Sequence, residues 1–283
     1  MTEEGLISLV EREHVLSMLD HNKRIDGRNF DEFREITIIP NYIQKAEGSA
    51  IVKIGKTKVI VGIKASLGDP YPDTPETGVL TTTVELSAYA SPNFESGPPR
   101  ADAIELARVT DRPIREAKAV NNEQLVIIPG KKVWVLFIDI YILDHDGNLF
   151  DACEMATLAA LKNTKLPDTK IVKDENGLED VEILETSKPL KMDHQPISCT
   201  IAKIGKHLIV DPTLKEENTQ DARITFAFTE NNKICSTQKG ENGTFSIEEI
   251  ETAIDLAAKK TKEIRSKWDD LTNPEAFPWV ENE

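Results

Sequence analysis

Three arginines, Arg108, Arg112 and Arg115, stand four and three residues apart in the stretch ELARVTDRPIREAKAV. At about 100° per residue on a helix they fall within roughly 60° of one another, in a single stripe. Arginine's planar fork binds phosphate oxygens in pairs, so the chemistry offered is a grip on phosphate. The same segment sets Asp102, Glu105, Asp111 and Glu116 against Arg108, Arg112, Arg115 and Lys118, and is balanced in charge. Intrahelical pairs, such as Asp111 with Arg115 or Arg112 with Glu116, are the competing use, each worth only a few tenths of a kcal/mol. The acids flank the stripe rather than interleave with it. Leu106, Ile114, Ala117 and Val120 fall on the opposite side, towards a core. Pro113 would kink a continuous helix or open a new one.

A second concentration of charge, VDPTLKEENTQD, places Asp211, Glu216, Glu217 and Asp221 after an apolar run. Clustered carboxylates hold Mg²⁺ or act as general acids. The plainer expectation, and the favoured one, is a solvated loop that also caps a helix turn. The stretch DHDGN imitates the start of a calcium loop, but Gly147 comes too early and Met155 stands where the closing Glu belongs. It reads instead as an Asp-Gly turn. The five histidines form no H-x3-H or His-Glu-x-x-His pair, which excludes a metal hydrolase of those types. There is no phosphate-binding P-loop, dinucleotide fingerprint or nucleophile elbow.

These residues must be held by a chain of 283, long enough to bury about three quarters of its unfolded surface and to form two domains. Apolar content of 39% and charged content of 29% fit a soluble globular protein. Cys153, Cys199 and Cys235 are odd in number and widely spaced, as expected of reduced thiols in the cytoplasm without disulfides or a zinc site. The N-terminus has no signal-peptide pattern. The longest apolar run, VWVLFIDIYIL, is too short to span a bilayer, contains Asp139, and reads as a buried strand. A formal charge of -15 repels nucleic acid at long range. A polyanionic partner must therefore meet a local basic patch, or one shared with another subunit.

Along the chain, LISLVEREHVLSMLD predicts an amphipathic helix, followed by a turn-rich lead into a strand ending at Pro40. SAIVKIGKTKVIVGIKAS predicts a hairpin around Gly55. Loops over GDPYPDTPETG and SPNFESGPPR bracket a further strand, VLTTTVELSAYA. After the arginine segment and the long apolar strand, DACEMATLAALKN predicts a helix with Ala152, Met155, Ala156 and Ala159 on one face. Residues 163–190 are polar and charged, as in a linker or exposed excursion. IVKIGKTKVIV and IAKIGKHLIVD then align without gaps, so the second half repeats a hairpin of the first. Ser246 and Glu249 fit a capping box opening a last helix, with Ile250, Ile254, Ala257, Ala258 and Ile264 as its buried stripe. The fold class is α+β, two related β-α halves with helices on one face of a mixed sheet. The division is a helix and lead-in over 1–30, a first domain over 31–165, a linker or excursion over 166–190 and a second domain over 191–283.

The segments RIDGRNFDEFREI, AEGSAIVKIGKTKVIVGIK, DTPETG, ELARVTDRPIRE, LFDACEMATLAALKNTKLP and IVDPTLKEE together resemble the RNase PH family. Within it the likeness is to non-catalytic ring subunits of the archaeal exosome. The resemblance implies a ribosomal-protein-S5-like N-terminal domain and an RNase PH C-terminal domain of related topology. It also implies a ring of three heterodimers, in which the chain alternates with a catalytic sister subunit around a channel for single-stranded RNA, with RNA-binding cap proteins. Catalytic relatives hold inorganic phosphate on an Asp-Gly-Gly-Thr-Arg turn. Here the aligned residues are Asp146, Gly147, Asn148, Leu149 and Phe150, and the last two neither donate side-chain hydrogen bonds nor neutralise phosphate. Asp211, Glu217 and Asp221 look like a residual acid cluster, although Thr213 stands where catalytic chains carry a second acid or an amide. The arginine helix implies an interface at which Arg108, Arg112 and Arg115 hold the RNA backbone.

The expectation is an RNA-binding structural subunit with no catalytic residues, no metal and no cofactor of its own. Phosphate and Mg²⁺ are expected at the partner's active site, in phosphate-dependent 3′→5′ RNA degradation. The alternatives are a phosphorolytic exoribonuclease in its own right, using Asp211 and Asp221, and a scaffold whose arginines only pair with acids.

Overall fold

The computed structural model describes residues 9–173 and 179–272. Helix α1 (Leu9–Asp20) leads through turns to strand β1 (Ile36–Pro40), the hairpin β2 (Gly48–Ile54) and β3 (Thr57–Gly68), and β4 (Val79–Leu86). Helix α2 (Ala101–Glu116) then crosses back to β5 (Val126–Ile128) and β6 (Lys132–Asp144), and α3 (Leu149–Lys162) follows. These strands form one sheet in the order β1-β2-β3-β6-β4, with β5 beside β6. Only β4 and β6 run parallel, as the α2 crossover between them requires.

The remaining elements are the ribbon β7 (Lys165–Lys173) and β8 (Glu179–Pro189), then β9 (Ile197–Ile204), β10 (His207–Val210), the short α4 (Leu214–Glu217), β11 (Ala222–Phe228), β12 (Ile234–Gly240), α5 (Ile247–Ser266) and α6 (Trp268–Leu271). The second sheet, β10-β9-β11-β12, is antiparallel throughout, so a mixed sheet exists only in the first half. No helix crosses between its strands in the way α2 does in the first. Both Lys-Ile-Gly-Lys stretches close two-residue turns, with Gly55 at φ +59° and Gly205 at φ +60°. That conformation suits glycine at the first turn position. The internal repeat is thus one local form used in both sheets.

Helix α3 lies between the sheets and is buried along nearly its whole length. Ala152, Met155 and Ala159 join the first core. Asp151 and Glu154 reach β9 on the other side. Cys199 and Ile201, alternating with those contacts along β9, pack on Ala253 and Ala257 of α5. The layers are therefore sheet, helices α2 and α3, sheet, and α5. Ser246 and Glu249 form the capping box that opens α5. Ala253 and Thr261 join its buried stripe, while Ile250, Ile254 and Ala258 stay partly exposed.

One expectation needs correction. Strand β6 is not buried on both faces: Leu136, Ile138 and Ile140 are in the core, but Phe137 and Tyr141 are 37% and 41% exposed on the open face of the sheet. Aromatic letters made a one-sided strand look two-sided. Of the two forms expected for residues 166–190, the structure shows the exposed excursion, mostly an antiparallel ribbon with Ile171 opposite Val181. Residues 174–178, between the two strands in sequence, lie outside the described residues, as do Leu6, Ile7 and Ser8 of the expected first helix. The N-terminal helix packs on the second sheet, with Val15 and Leu19 against Ala202, Ile204 and Ile209.

Candidate nucleic-acid interface

The turn after β6 brings Asp146, Gly147 and Asn148 against the loop at 211–214. A Cβ on Gly147 (φ +92°) would stand 2.5 Å from the Pro212 carbonyl oxygen and 2.6 Å from the Leu214 nitrogen. Only glycine fits this approach. Leu214 N–H donates to the Asp146 carbonyl (3.0 Å), Arg34 Nη1 to the same oxygen (2.6 Å), and Thr57 Oγ1 to the Gly147 carbonyl (2.7 Å). Asn148, left-handed at φ 54°, is the N-cap of α3. Its Nδ2 donates to Asp151 Oδ2 (2.9 Å) and Asp211 Oδ1 (2.8 Å), and its backbone N–H to Glu217 Oε1 (2.6 Å).

A helix N-terminus is where backbone amides meet an anion. In this chain the Glu217 carboxyl has taken that place. Burial pushes its pKa up to about 7, against the pull of the Asn148 N–H and of nearby Arg223 and Arg34. Leu149 and Phe150 follow in a recess of about 290 Å³ that Phe94, His145, Glu105 and Arg223 also line. Its cation is already engaged: the Arg223 guanidinium lies 4.3 Å from the Phe150 ring centre and pairs with Glu105 (2.6 Å) and Glu241 (3.0 Å). The side chains at the turn thus supply no free positive charge for phosphate.

The acid run is not the solvated loop expected of it, and it is not one cluster. It does cap a helix turn: Thr213 and Glu216 form a capping box on α4. Asp211 and Glu216, however, are fully buried. Asp211 is clamped by Arg28 and Arg34, and Glu216 by Arg24. Asp221 turns away to Arg12 (2.5 Å) and the Gly205 N–H (2.7 Å). Glu217 and Asp211 therefore share Asn148, and Asp221 stands apart. Among the described residues no three His, Cys, Asp or Glu side chains are placed to hold a metal ion together. Arg24, Arg28 and Arg34 escaped sequence reasoning. The clue was the bunching of arginines in KRIDGRNFDEFRE, whose buried partners lie 177 to 192 residues on.

Glu154 of α3 is buried beside the same layer, with Oε2 accepting the Ser198 N–H (3.2 Å) and Oε1 without a hydrogen-bond partner. Burial, reinforced by Asp151, pushes its pKa up to about 8 from an ordinary 4.5. Asp151 is pushed up to about 6 by burial despite hydrogen bonds from Thr200 and Asn148. For an acid raised in the fold, the folded state holds a proton that the unfolded chain has released. The associated stability is full below about pH 4.5 and is lost as pH rises towards 8. Urea unfolding at steps from pH 5 to 8 is expected to show this decline, by up to about 1.4 kcal/mol per pH unit per group. Glu154→Gln should flatten it; parallel pH profiles for the two proteins would refute the assignment.

Helix α2 runs unbroken through Pro113 to Glu116. Arg108, Arg112 and Arg115 are all exposed, with Leu106, Ile114, Ala117 and Val120 buried behind them. Arg115 Nε pairs with Asp111 (2.7 Å) and its Nη2 donates to the Leu80 carbonyl (3.0 Å). Arg112 touches Gln238 of β12 at 3.3 Å, and Arg108 has no partner among the described residues. One anticipated intrahelical pair is present, and two of the three guanidiniums keep most of their donors free. Glu105, also on α2, is drawn off to Arg223.

Residues 32–167 match domain 1 of the 3′ exoribonuclease family and residues 194–260 match its domain 2. The chain belongs to the 3′ exoribonuclease family. It is 52% identical over 267 residues to the exosome complex component Rrp42 of Thermococcus onnurineus, covering 94% of this chain and 97% of that protein. The family likeness extends to the protein of the same name from Methanopyrus kandleri, 47% identical over 261 residues, covering 92% and 96%. A chain of the Archaeoglobus fulgidus exosome with RNA bound to the active site superposes with a TM-score of 0.83 at 43% identity, covering 92% of this chain and 98% of that one. A chain of an archaeal exosome core gives 0.81 at 39% identity, covering 95% and 100%. Both family domains are present as the two β-α layers described above, and no helix among the described residues is long and apolar enough to cross a membrane.

Proposed function

We propose that this chain is an RNA-binding ring subunit of a cytoplasmic exosome, without catalytic activity of its own. It alternates with a catalytic sister subunit that carries phosphate, Mg²⁺ and the chemistry of 3′→5′ degradation, beneath RNA-binding cap proteins. The observation that carries the reading is the filled phosphate turn. Glu217 sits on the Asn148 amide at the start of α3, and Leu149 and Phe150 replace polar donors. The Glu217 carboxyl occupies the amide an anion would use, and in its ionised form it repels the nucleophile that phosphorolysis needs. The exosome relatives support membership of such an assembly. The exposed stripe on α2 supports contact with RNA phosphate, which is sequence-independent.

The stripe is tested in the ring assembled with its sister subunit. Arg112→Glu is expected to weaken single-stranded RNA binding about tenfold, or about 1.4 kcal/mol, and to lessen its salt dependence, with assembly unchanged. Unaltered affinity would favour a pure scaffold. Arg115 is already tied to Asp111 and Leu80, so its replacement is expected to do less than that of Arg112.

A further inference from the structure

Arg223 of β11 divides its charge between two carboxylates, one from each family domain. Its side chain is 9% exposed, with Nη2 donating to Glu105 Oε1 (2.6 Å) and Nη1 to Glu241 Oε1 (3.0 Å). Glu241 follows β12 in the second domain, whereas Glu105 lies on α2 in the first. The guanidinium rests on the Phe150 ring, 4.3 Å from its centre, a seat that suits a planar and weakly hydrated cation. Gly240 stands opposite Arg223 across the β11–β12 pair. A Cβ there would come within 2.4 Å of Arg223 Cζ and 2.6 Å of Nη1, so the facing strand leaves room for the fork only with glycine. A platform, a gap in the neighbouring strand and two acceptors together fix where this guanidinium points.

The consequence falls on α2. Glu105 stands three residues before Arg108, and side chains at that spacing are neighbours on a helix. Left to itself, the acid would pair with that arginine. Instead it is turned to Arg223, and Arg108 is exposed without a partner among the described residues. One turn further on the outcome is the reverse. Asp111, four residues before Arg115, meets no cation of the second domain among the described residues, and it pairs with Arg115 at 2.7 Å. The same kind of intrahelical pair is thus closed at Arg115 and open at Arg108. The competition for Glu105 is uneven, because attraction to a nearly buried guanidinium is screened less than attraction to one in water.

We propose that Arg223 is a positioning residue of the RNA-binding surface: by drawing Glu105 to the second domain it keeps Arg108 unpaired for phosphate. The proposal rests on the RNA-binding reading of the arginine stripe and adds what holds the stripe open. It also gives Phe150 a use. The ring at the filled phosphate turn seats the guanidinium that takes the acid away.

The test is a double-mutant cycle on the binding of a single-stranded oligoribonucleotide by the ring assembled with its sister subunit. Arg223→Met releases Glu105 and is expected to weaken RNA binding about threefold and to lessen its salt dependence. Adding Glu105→Gln should recover that threefold in the Arg223→Met background and gain far less in the wild-type one, where the acid is already engaged. An arginine that only joined the domains would show no recovery, since Glu105→Gln removes the same joining pair. Gly240→Ala is a second route that keeps every charge: its Cβ displaces the guanidinium, and the loss and its recovery by Glu105→Gln should repeat. Equal effects of Glu105→Gln in both backgrounds, or wild-type affinity for both Arg223→Met and Gly240→Ala, would overturn the proposal. Arg108→Ala and Arg112→Glu separate it from the reading beneath it. If both weaken RNA binding while Arg223→Met does not, the stripe stands and Arg223 is not its positioning residue. If neither weakens it, the stripe reading fails and takes the proposal with it.

Discussion

Asp211→Ala is expected to lower the unfolding free energy by about 3–5 kcal/mol, which would place it among the most damaging single changes in the chain. The Asp211 side chain is fully buried. Oδ1 accepts from Arg34 Nη2 (2.7 Å) and Asn148 Nδ2 (2.8 Å), and Oδ2 from Arg28 Nη1 (2.9 Å), Arg34 Nε (2.9 Å) and the Arg34 N–H (2.8 Å). Burial alone would raise its pKa, but the hydrogen bonds and charge of Arg34, with the charge of Arg28, hold it below the ordinary 3.8. Removing the carboxylate leaves the nearly buried Arg34 guanidinium with only the longer 3.7 Å pairing to Asp146, and that loss dominates the effect. Asp211→Asn separates the causes. It keeps the shape and tolerates the left-handed backbone at φ 49°, so what it loses is charge. It should fall between wild type and alanine in chemical denaturation. A loss below about 1 kcal/mol for the alanine variant would show that the clamp is not structural. Because its folded pKa is depressed, the contribution of Asp211 is present above pH 3.8 and is lost as pH falls through the folded value.

The second large effect belongs to Glu216. Its two oxygens accept Arg24 Nε (2.9 Å) and Nη2 (2.6 Å), and neither side chain of the pair has exposed surface. Arg24 also donates to the Val210 and Asp211 carbonyls at 2.9 Å each, so it ties the segment after α1 to the end of β10. Glu216→Ala removes both the ion pair and half of the capping box on α4, for an expected loss of about 3–5 kcal/mol. Arg24→Met combined with Glu216→Leu should be far less harmful than the sum of the single changes, since no uncompensated charge stays buried. Additive losses in the double variant would contradict the account.

These two clamps explain why part of the molecule was legible in the sequence and part was not. The Ser246 cap, the Gly55 and Gly205 hairpins and the buried side of α2 rest on signals within a few residues of one another. A strand or helix end is decided locally, and the periods of two and 3.6 record it. That Leu149 and Phe150 carry no side-chain donors was equally plain in single letters. The fate of the acid run was not. Whether Asp211 faces water or two arginines depends on contacts between residues 28–34 and 211, which leave no periodic trace. Asp221 looked like a neighbour of Glu217, but the turn before β11 sends it to Gly205 and Arg12. The apolar letters of β6 were counted correctly and assigned to one face too many. Phe137 and Tyr141 stand on an open sheet face.

The acids that could have been read as chemistry are engaged by other groups of the chain. Asp211 and Glu216 latch the N-terminal segment to the second sheet, and Glu217 fills a helix N-terminus with the chain's own carboxyl. The arginines of α2 remain on the surface. The most direct measurement is release of nucleoside diphosphates from single-stranded RNA in phosphate and Mg²⁺, by the purified chain alone and after assembly with its sister subunit. The account predicts no release by the isolated chain and release by the assembled ring; nucleoside diphosphates produced by the isolated chain would contradict it.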